Sequence, residues 1–456
     1  MEASIQHTST SAKLKNIAII GIPAVIESII AVVIGTIDTK MISGLGKGAV
    51  SAVSFTSQPK LIILSIFFAM GTAVSVFVAQ ALGRKDRDEA NAYFQTIFRL
   101  TVILSLILGI ACGVLAGPIM SICNRQPDTV GMSVSFFRII MFFLVFNTVS
   151  IVLNAALRGI GKTRLTLISS ISMGVVDIFV NYLLIEGHWG FPKLGVVGDA
   201  LGTVCGMAAA CVISVVLLSK KTDFLTFKGV LTRNKDPEII KNIRVKAGNT
   251  VIENLFTRIG FLLSSIIISG LTSDLTAVYS VTMLLLNYSF SFGDGMQAAV
   301  VSLVGQCMGA KQYREVKDYV HLARIVGVGI SIVLSLIYIF GARLFFSQFF
   351  QDEEAILQGI SYSYVAAALT LLQIIRIINV AAMRGMGDVK SPRNMATICV
   401  LIISPAVAFT LTKVFSWGVW GIWAASLTSQ VCWFTMSCVK EHQCMQRVLA
   451  LDTKAA

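Results

Sequence analysis

Residues 17–46 read IAIIGIPAVIESIIAVVIGTIDTKMISGLG. The run is long enough to cross a bilayer, which takes about 20 residues at a helical rise of 1.5 Å, yet it carries two carboxylates, Glu27 and Asp38. Ionisable groups are costly in hydrocarbon, so each needs a partner or a task. A near copy, GNTVIENLFTRIGFLLSSIIISGL, begins at Gly248 and repeats Val-Ile-Glu (Glu27, Glu253) and Ser-Gly-Leu at one offset, 226 residues. The chain thus reads as a tandem duplication of a membrane unit, with a carboxylate kept in the first helix of both copies.

Composition agrees. Of 456 residues 55% are hydrophobic and 13% charged, too few charges for a soluble globule of this size. The net charge of +13 lies in short connections between apolar segments, not on one soluble face, which excludes nucleic acid as a partner. Nine cysteines and four histidines are dispersed without ligand spacing, so neither a zinc site nor a disulfide framework is expected. The first apolar run follows a polar start without a small-residue cleavage site and reads as a retained helix.

Spanning segments fall near 17–42, 54–82, 95–122, 132–157, 165–186 and 195–219, then 247–270, 276–308, 319–346, 356–383, 394–413 and 419–439. The expected fold is therefore all-α and polytopic, twelve transmembrane helices in two six-helix lobes. Its domains are an N-lobe (1–219), a basic linker (220–246) and a C-lobe (247–456). With the N-terminus inside, 25 Lys and Arg fall in cytoplasmic connections and five (Lys47, Arg125, Lys193, Arg343, Lys413) outside, so both termini are expected in the cytoplasm and the protein in a plasma membrane. Eight of those basic residues lie in the linker, where they would face anionic lipid. Because six is even, both lobes should face the same way, related by a pseudo-two-fold axis along the membrane normal.

The 226-residue register holds along the chain. It pairs Gln80 with Gln306, Gly83 with Gly309, Lys85 with Lys311, Tyr93 with Tyr319, and LRGIG (157–161) with MRGMG (383–387), sharing Arg158/Arg384. With Asp38 ahead of Met-Ile-Ser-Gly-Leu-Gly, the Gln-x-x-Gly and Arg-Gly-x-Gly motifs, and Leu-Gly-Val-x-Gly at 194–198, the chain resembles the multidrug and toxic compound extrusion family, bacterial type, over essentially its whole length. The resemblance implies a secondary active multidrug exporter that rocks between inward and outward states. It would be driven by protons or sodium and act on organic, mostly cationic amphipathic compounds.

Asp177 and Asn181 stand four apart on one helical face. Together with Asp38 and Thr203 they reach a common depth of roughly 6–14 Å below the outer helix ends. Their oxygens suit a hard cation, and a desolvated carboxylate suits a proton equally. The set resembles the family's N-lobe cation site, where H+ or Na+ would act as coupling ion, with the order of aspartate and asparagine exchanged relative to some members. The alternative is interhelical hydrogen-bond glue. Candidates for the cavity and C-lobe are Glu253, Glu27, Asp294 and Gln373. Glu253 matches an acidic family position, but Gln373 stands where an aspartate is often paired with it, and Arg258 on the same helix is an alternative partner. Asp294, within Gly-Asp-Gly, is expected at a helix irregularity, Asp199 at the interface, and Lys40, Lys60 and Arg138 snorkelling at helix ends.

Gly161-Lys162-Thr163 is not a phosphate loop, since Ala156 stands where a glycine is required. No constellation suggests an enzyme or a cofactor. Small organic cations and membrane lipid are the expected partners of a monomer. Rival readings are a lipid-linked precursor flippase of the same superfamily, an exporter of an endogenous metabolite, and a passive channel or receptor.

Overall fold

A computed structural model describes residues 9–124, 127–230, 237–269 and 273–455. Arg125, the 231–236 part of the expected linker and the second Gly-Leu copy at 270–271 lie outside them. The described chain is all helical: α1 (Thr10–Ser43), α2 (Lys47–Arg84), α3 (Arg87–Val114), α4 (Ala116–Cys123), α5 (Pro127–Phe142), α6 (Leu144–Gly159), α7 (Thr163–Ile185) and α8 (Val196–Lys221), then α9 (Pro237–Ser269), α10 (Ser273–Gly309), α11 (Tyr313–Phe340), α12 (Ala342–Phe346) and α13 (Glu353–Gly385). The chain ends in α14 (Lys390–Ala396) and α15 (Ser404–Phe409), each followed by a π-helical stretch, and α16 (Val419–Ala455).

Among the described residues eight helices are long and apolar enough to cross a membrane, and α5 with α6, bent by 53°, make a ninth. Grouped across their breaks, the elements form the twelve spans of the fold, six per repeat, in a multi-pass membrane protein. The repeat fixes their ends: α5 opens at 127 and α6 closes at 159, while α13 runs from 353 to 385, each bound displaced by 226.

Breaks in three spans depart from the expected continuous helices, one of them at Gly341, the repeat mate of Leu115, where α11 gives way to α12. Helix three stops at Leu115, and helix four bends at Phe143 without a proline. A Cβ on Gly109 would lie 2.6 Å from the Met141 carbonyl oxygen and one on Gly113 2.9 Å from the Phe142 ring, so two glycines of α3 admit the bent segment.

The Arg-Gly-x-Gly motif explains where helix four ends. Gly161 takes φ +76° and Gly387 φ +94°, a left-handed conformation open to glycine. The Lys162 N–H donates to the Leu157 carbonyl (2.9 Å) and that of Gly161 to Arg158 (2.9 Å), a six-to-one and five-to-two pair that closes the helix; Asp388 and Gly387 do the same onto Met383 and Arg384. The first glycine serves packing, since a Cβ on Gly159 would meet the Ser75 carbonyl oxygen at 2.7 Å.

The chain forms two compact units. The N-unit is Ile26–Val251, and the C-unit joins the residues up to Val25 with those from Ile252 onward. The boundaries fall inside α1 and α9, not at the expected linker edges, because each helix begins on the unit of the other repeat. In the C-unit Asn16 donates to the Tyr319 hydroxyl at 3.0 Å, and Lys13 meets Glu315 and Asp318 at 2.6 Å each. In the N-unit Asn242 donates to the Tyr93 hydroxyl at 3.0 Å, while the Lys246 ammonium sits 4.2 Å from the Phe77 ring centroid. Asn16 and Asn242, like Tyr93 and Tyr319, are repeat mates, so the exchange is reciprocal.

Candidate functional site

In the N-unit the C-terminal turns of α1 meet α7. Asn181 donates from Nδ2 to Asp38 Oδ1 (3.3 Å) and to Asp177 Oδ1 (3.1 Å), so one amide joins two carboxylates on two helices. Asp177 and Asn181 are 2% and 0% exposed. Thr203 stands on α8 next to Gly202, where that helix packs on Asn181. Asn181 thus joins Asp38 and Asp177, and Thr203 lies on the helix packed against them. Among the described residues no three His, Cys, Asp or Glu side chains converge on a metal position. A cation held here would therefore use mixed carboxylate, amide and hydroxyl oxygens.

Three glycines let α8 reach this point. A Cβ on Gly202 would lie 2.0 Å from Asn181 Oδ1, one on Gly206 2.9 Å from Asp177 Cβ, and one on Gly198 2.5 Å from the Leu184 carbonyl oxygen. The i, i+4 spacing of small residues is the sequence signal for such a close pair of membrane helices, and it was legible in GDALGTVCG.

Two further charges act on this cluster, Asp199 in the first turn of α8 and Lys60 of α2. Asp199 is 2% exposed, with Oδ1 lacking a donor. Lys60 lies in the fields of Asp38, Asp177 and Asp199. Helix α2 starts at Lys47, which puts Lys60 thirteen residues into it and not at its end.

The first-helix glutamates have partners that the local sequence did not name. Glu27 accepts from Thr166 Oγ1 (2.6 Å), Ser170 Oγ (3.1 Å) and Arg158 Nη1 (3.4 Å). Glu253 accepts from Arg384 Nη2 (2.8 Å), and Arg384 also donates to Gln297 Oε1 (3.0 Å). Glu253 therefore does not pair with Arg258, five residues along its own helix, because Arg384 reaches it from α13. Both pairs span 131 residues and are repeat mates, each within its own unit.

Asp294 is exposed on an unbroken α10, so no irregularity surrounds it. Its flanking glycines serve close packing: a Cβ on Gly293 would lie 2.4 Å from Ile377 Cδ1 and one on Gly295 2.4 Å from Val25 Cγ2. Gln373 is 3% exposed, with Nε2 lacking an acceptor.

The MatE family model matches residues 23–183 and again 250–410, one match per repeat. The chain is 24% identical over 393 residues to the probable multidrug resistance protein YoeA of Bacillus subtilis, covering 83% of this chain and 82% of that one. It is 23% identical over 411 residues to the probable multidrug resistance protein NorM of Thermotoga maritima, covering 90% and 88%. Among solved structures it resembles an outward-facing multidrug resistance MATE family transporter (TM-score 0.87, 17% identity, 96% of each chain). It also resembles a MOP superfamily transporter from Pyrococcus furiosus described as having a binding pocket of reversed polarity (TM-score 0.86, 19% identity, 96% and 97%). With both halves matched by one family model and the fold shared end to end, this chain belongs to the MatE family and is a membrane transporter, not an enzyme.

Proposed function

We propose that this protein is a secondary active multidrug exporter of the plasma membrane in which inward movement of a proton or sodium ion at Asp38, Asp177, Asn181 and Thr203 drives efflux of small organic molecules. The observation that carries the reading is the pair of carboxylates from α1 and α7 sharing one amide donor in a site where Asn181 is wholly buried. Two such charges repel, and a bound cation or proton relieves them. Binding would then tie α1 to α7, and an ion that ties them in one state and not in the other shifts the balance between states. Antiport follows if solute and ion favour opposite states of one carrier. The relatives named for multidrug resistance support the substrate class. The excess of basic residues in alternate connections supports cytoplasmic termini, and no resident cofactor is required.

Uptake of ethidium into inverted vesicles, with pH and sodium gradients imposed separately, tests this reading. We expect movement under one gradient, lost in Asp38→Asn with the protein still folded. Unchanged export by Asp38→Asn would remove that residue from the coupling. Movement under neither gradient would favour a lipid-linked precursor flippase, which Arg258 and Arg376 could serve, although Arg138 is exposed and on the other unit.

A further inference from the structure

Arg376 lies eight residues before Arg384 on α13 and is 5% exposed. Its guanidinium makes no hydrogen bond or ion pair among the described residues, and Nε is buried without an acceptor. Its Cζ lies 3.8 Å from the centroid of the Trp433 ring on α16. Stacking on an indole offsets part of the cost of burying a cation, but it leaves the in-plane N–H groups unsatisfied.

The neighbours share the deficiency. Arg384 Nε, Gln373 Nε2 and Trp433 Nε1 are also buried without an acceptor, against a single buried carboxylate oxygen without a donor, Glu253 Oε2. Charge points the same way. Three cations, Arg258, Arg376 and Arg384, stand against two carboxylates, Glu253 and Asp294, that act on them, so positive charge is in excess. Buried polar groups in folded proteins are nearly always partnered. A cluster rich in donors and short of acceptors therefore marks a place where the acceptor comes from outside.

We propose that Arg376, Gln373 and the Trp433 face form a receptor for a carboxylate on the exported solute, so that this protein favours organic acids and zwitterions over simple cations. The proposal rests on the exporter reading above. A planar carboxylate matches the fork of a guanidinium with two parallel hydrogen bonds. The indole beside it offers an apolar surface to an organic body. The repeat isolates the feature: the N-terminal positions matching Gln373, Arg376 and Trp433 are Asn147, Ser150 and Met207, so the receptor is peculiar to the second half.

The test uses rhodamine B, which bears a free carboxylate, and its ethyl ester, which does not. Binding to the purified full-length protein is read by fluorescence anisotropy. We expect rhodamine B to bind at least about tenfold more tightly than the ester, the scale of a charge-assisted pair. Arg376→Gln should abolish that difference by weakening rhodamine B alone, and Gln373→Leu should narrow it. Equal binding of the two dyes by the wild-type protein, or equal weakening of both in Arg376→Gln, overturns the proposal. Arg376→Met guards against misfolding: loss of an uncompensated buried charge should raise the thermal midpoint of the solute-free protein, and a lowered midpoint with both dyes lost assigns Arg376 a structural role. Vesicle transport separates the two readings. If neither dye moves under either gradient while binding still discriminates, the exporter reading falls and acid recognition stands. If the ester moves and rhodamine B binds no better, acid recognition falls and the exporter reading stands.

Discussion

The two glutamate–arginine pairs show how one residue pair is used at two strengths. The Glu253–Arg384 side chains are 6% and 9% exposed and meet at 2.8 Å, whereas Arg158 is 31% exposed, meets Glu27 at 3.4 Å and shares it with two hydroxyls. Removing one partner of a buried pair leaves an uncompensated charge, at a cost of about 3–5 kcal/mol. A looser, partly solvated pair with other donors costs about 1 kcal/mol. Arg384→Ala should therefore lower the thermal midpoint in detergent clearly more than Arg158→Ala does, and the reverse order would refute this ranking. Gly202→Ala belongs to the same scale. Its methyl would displace Asn181 from both carboxylates, so gradient-driven efflux should fall at least about tenfold. Gly35→Ala, with open space around the new methyl, should transport normally. Asp38, Asp177, Asn181 and Thr203 were legible in the sequence because polar groups at one depth in apolar helices stand out. The partners of Glu27 and Glu253 were not, because a separation of 131 residues leaves no local trace. The clue lay in the repeat, which keeps an acid and a base together in both copies.

At the scale of elements, the two repeats diverge where backbone hydrogen bonding is disturbed. Helix four bends at Phe143 while its mate α13 runs unbroken. Conversely α7 is regular while its mate passes through π-helical turns on both sides of Ser404 and Pro405. Proline lacks an N–H and cannot close the turn before it, which favours wider turns nearby. Pro405→Ala should regularise this segment and raise the thermal midpoint by about one degree, as expected for a gain of about 1 kcal/mol in a chain of this length. An unchanged midpoint would mean that packing, not proline, holds the π turns. Hydropathy located all twelve spans but misjudged several ends. Helix α2 begins at Lys47 and α16 continues to Ala455, well outside the apolar windows, because a helix already nucleated carries polar residues on past the hydrocarbon. The glycine-admitted bend in helix four has no composition of its own and was invisible for that reason.

The whole molecule is governed by its two units, whose boundaries no composition shift announces. The basic linker looked like the natural divide, yet α9 starts on the N-unit through Asn242 and Lys246 before entering the C-unit. Cutting the chain between residues 230 and 237 should therefore leave neither half complete. Each half expressed alone should be degraded, whereas co-expression should restore efflux; export by a single half would refute the exchange. The crossed pairs also carry a record of descent. A six-helix ancestor with this arrangement would have worked as a homodimer whose protomers traded the start of their first helix, and fusion of two gene copies would have made the trade permanent. Selection on such a chain acts across the duplication, so a change at Tyr93 should find its compensation at Asn242 and one at Tyr319 at Asn16, not at the neighbours each residue was born beside.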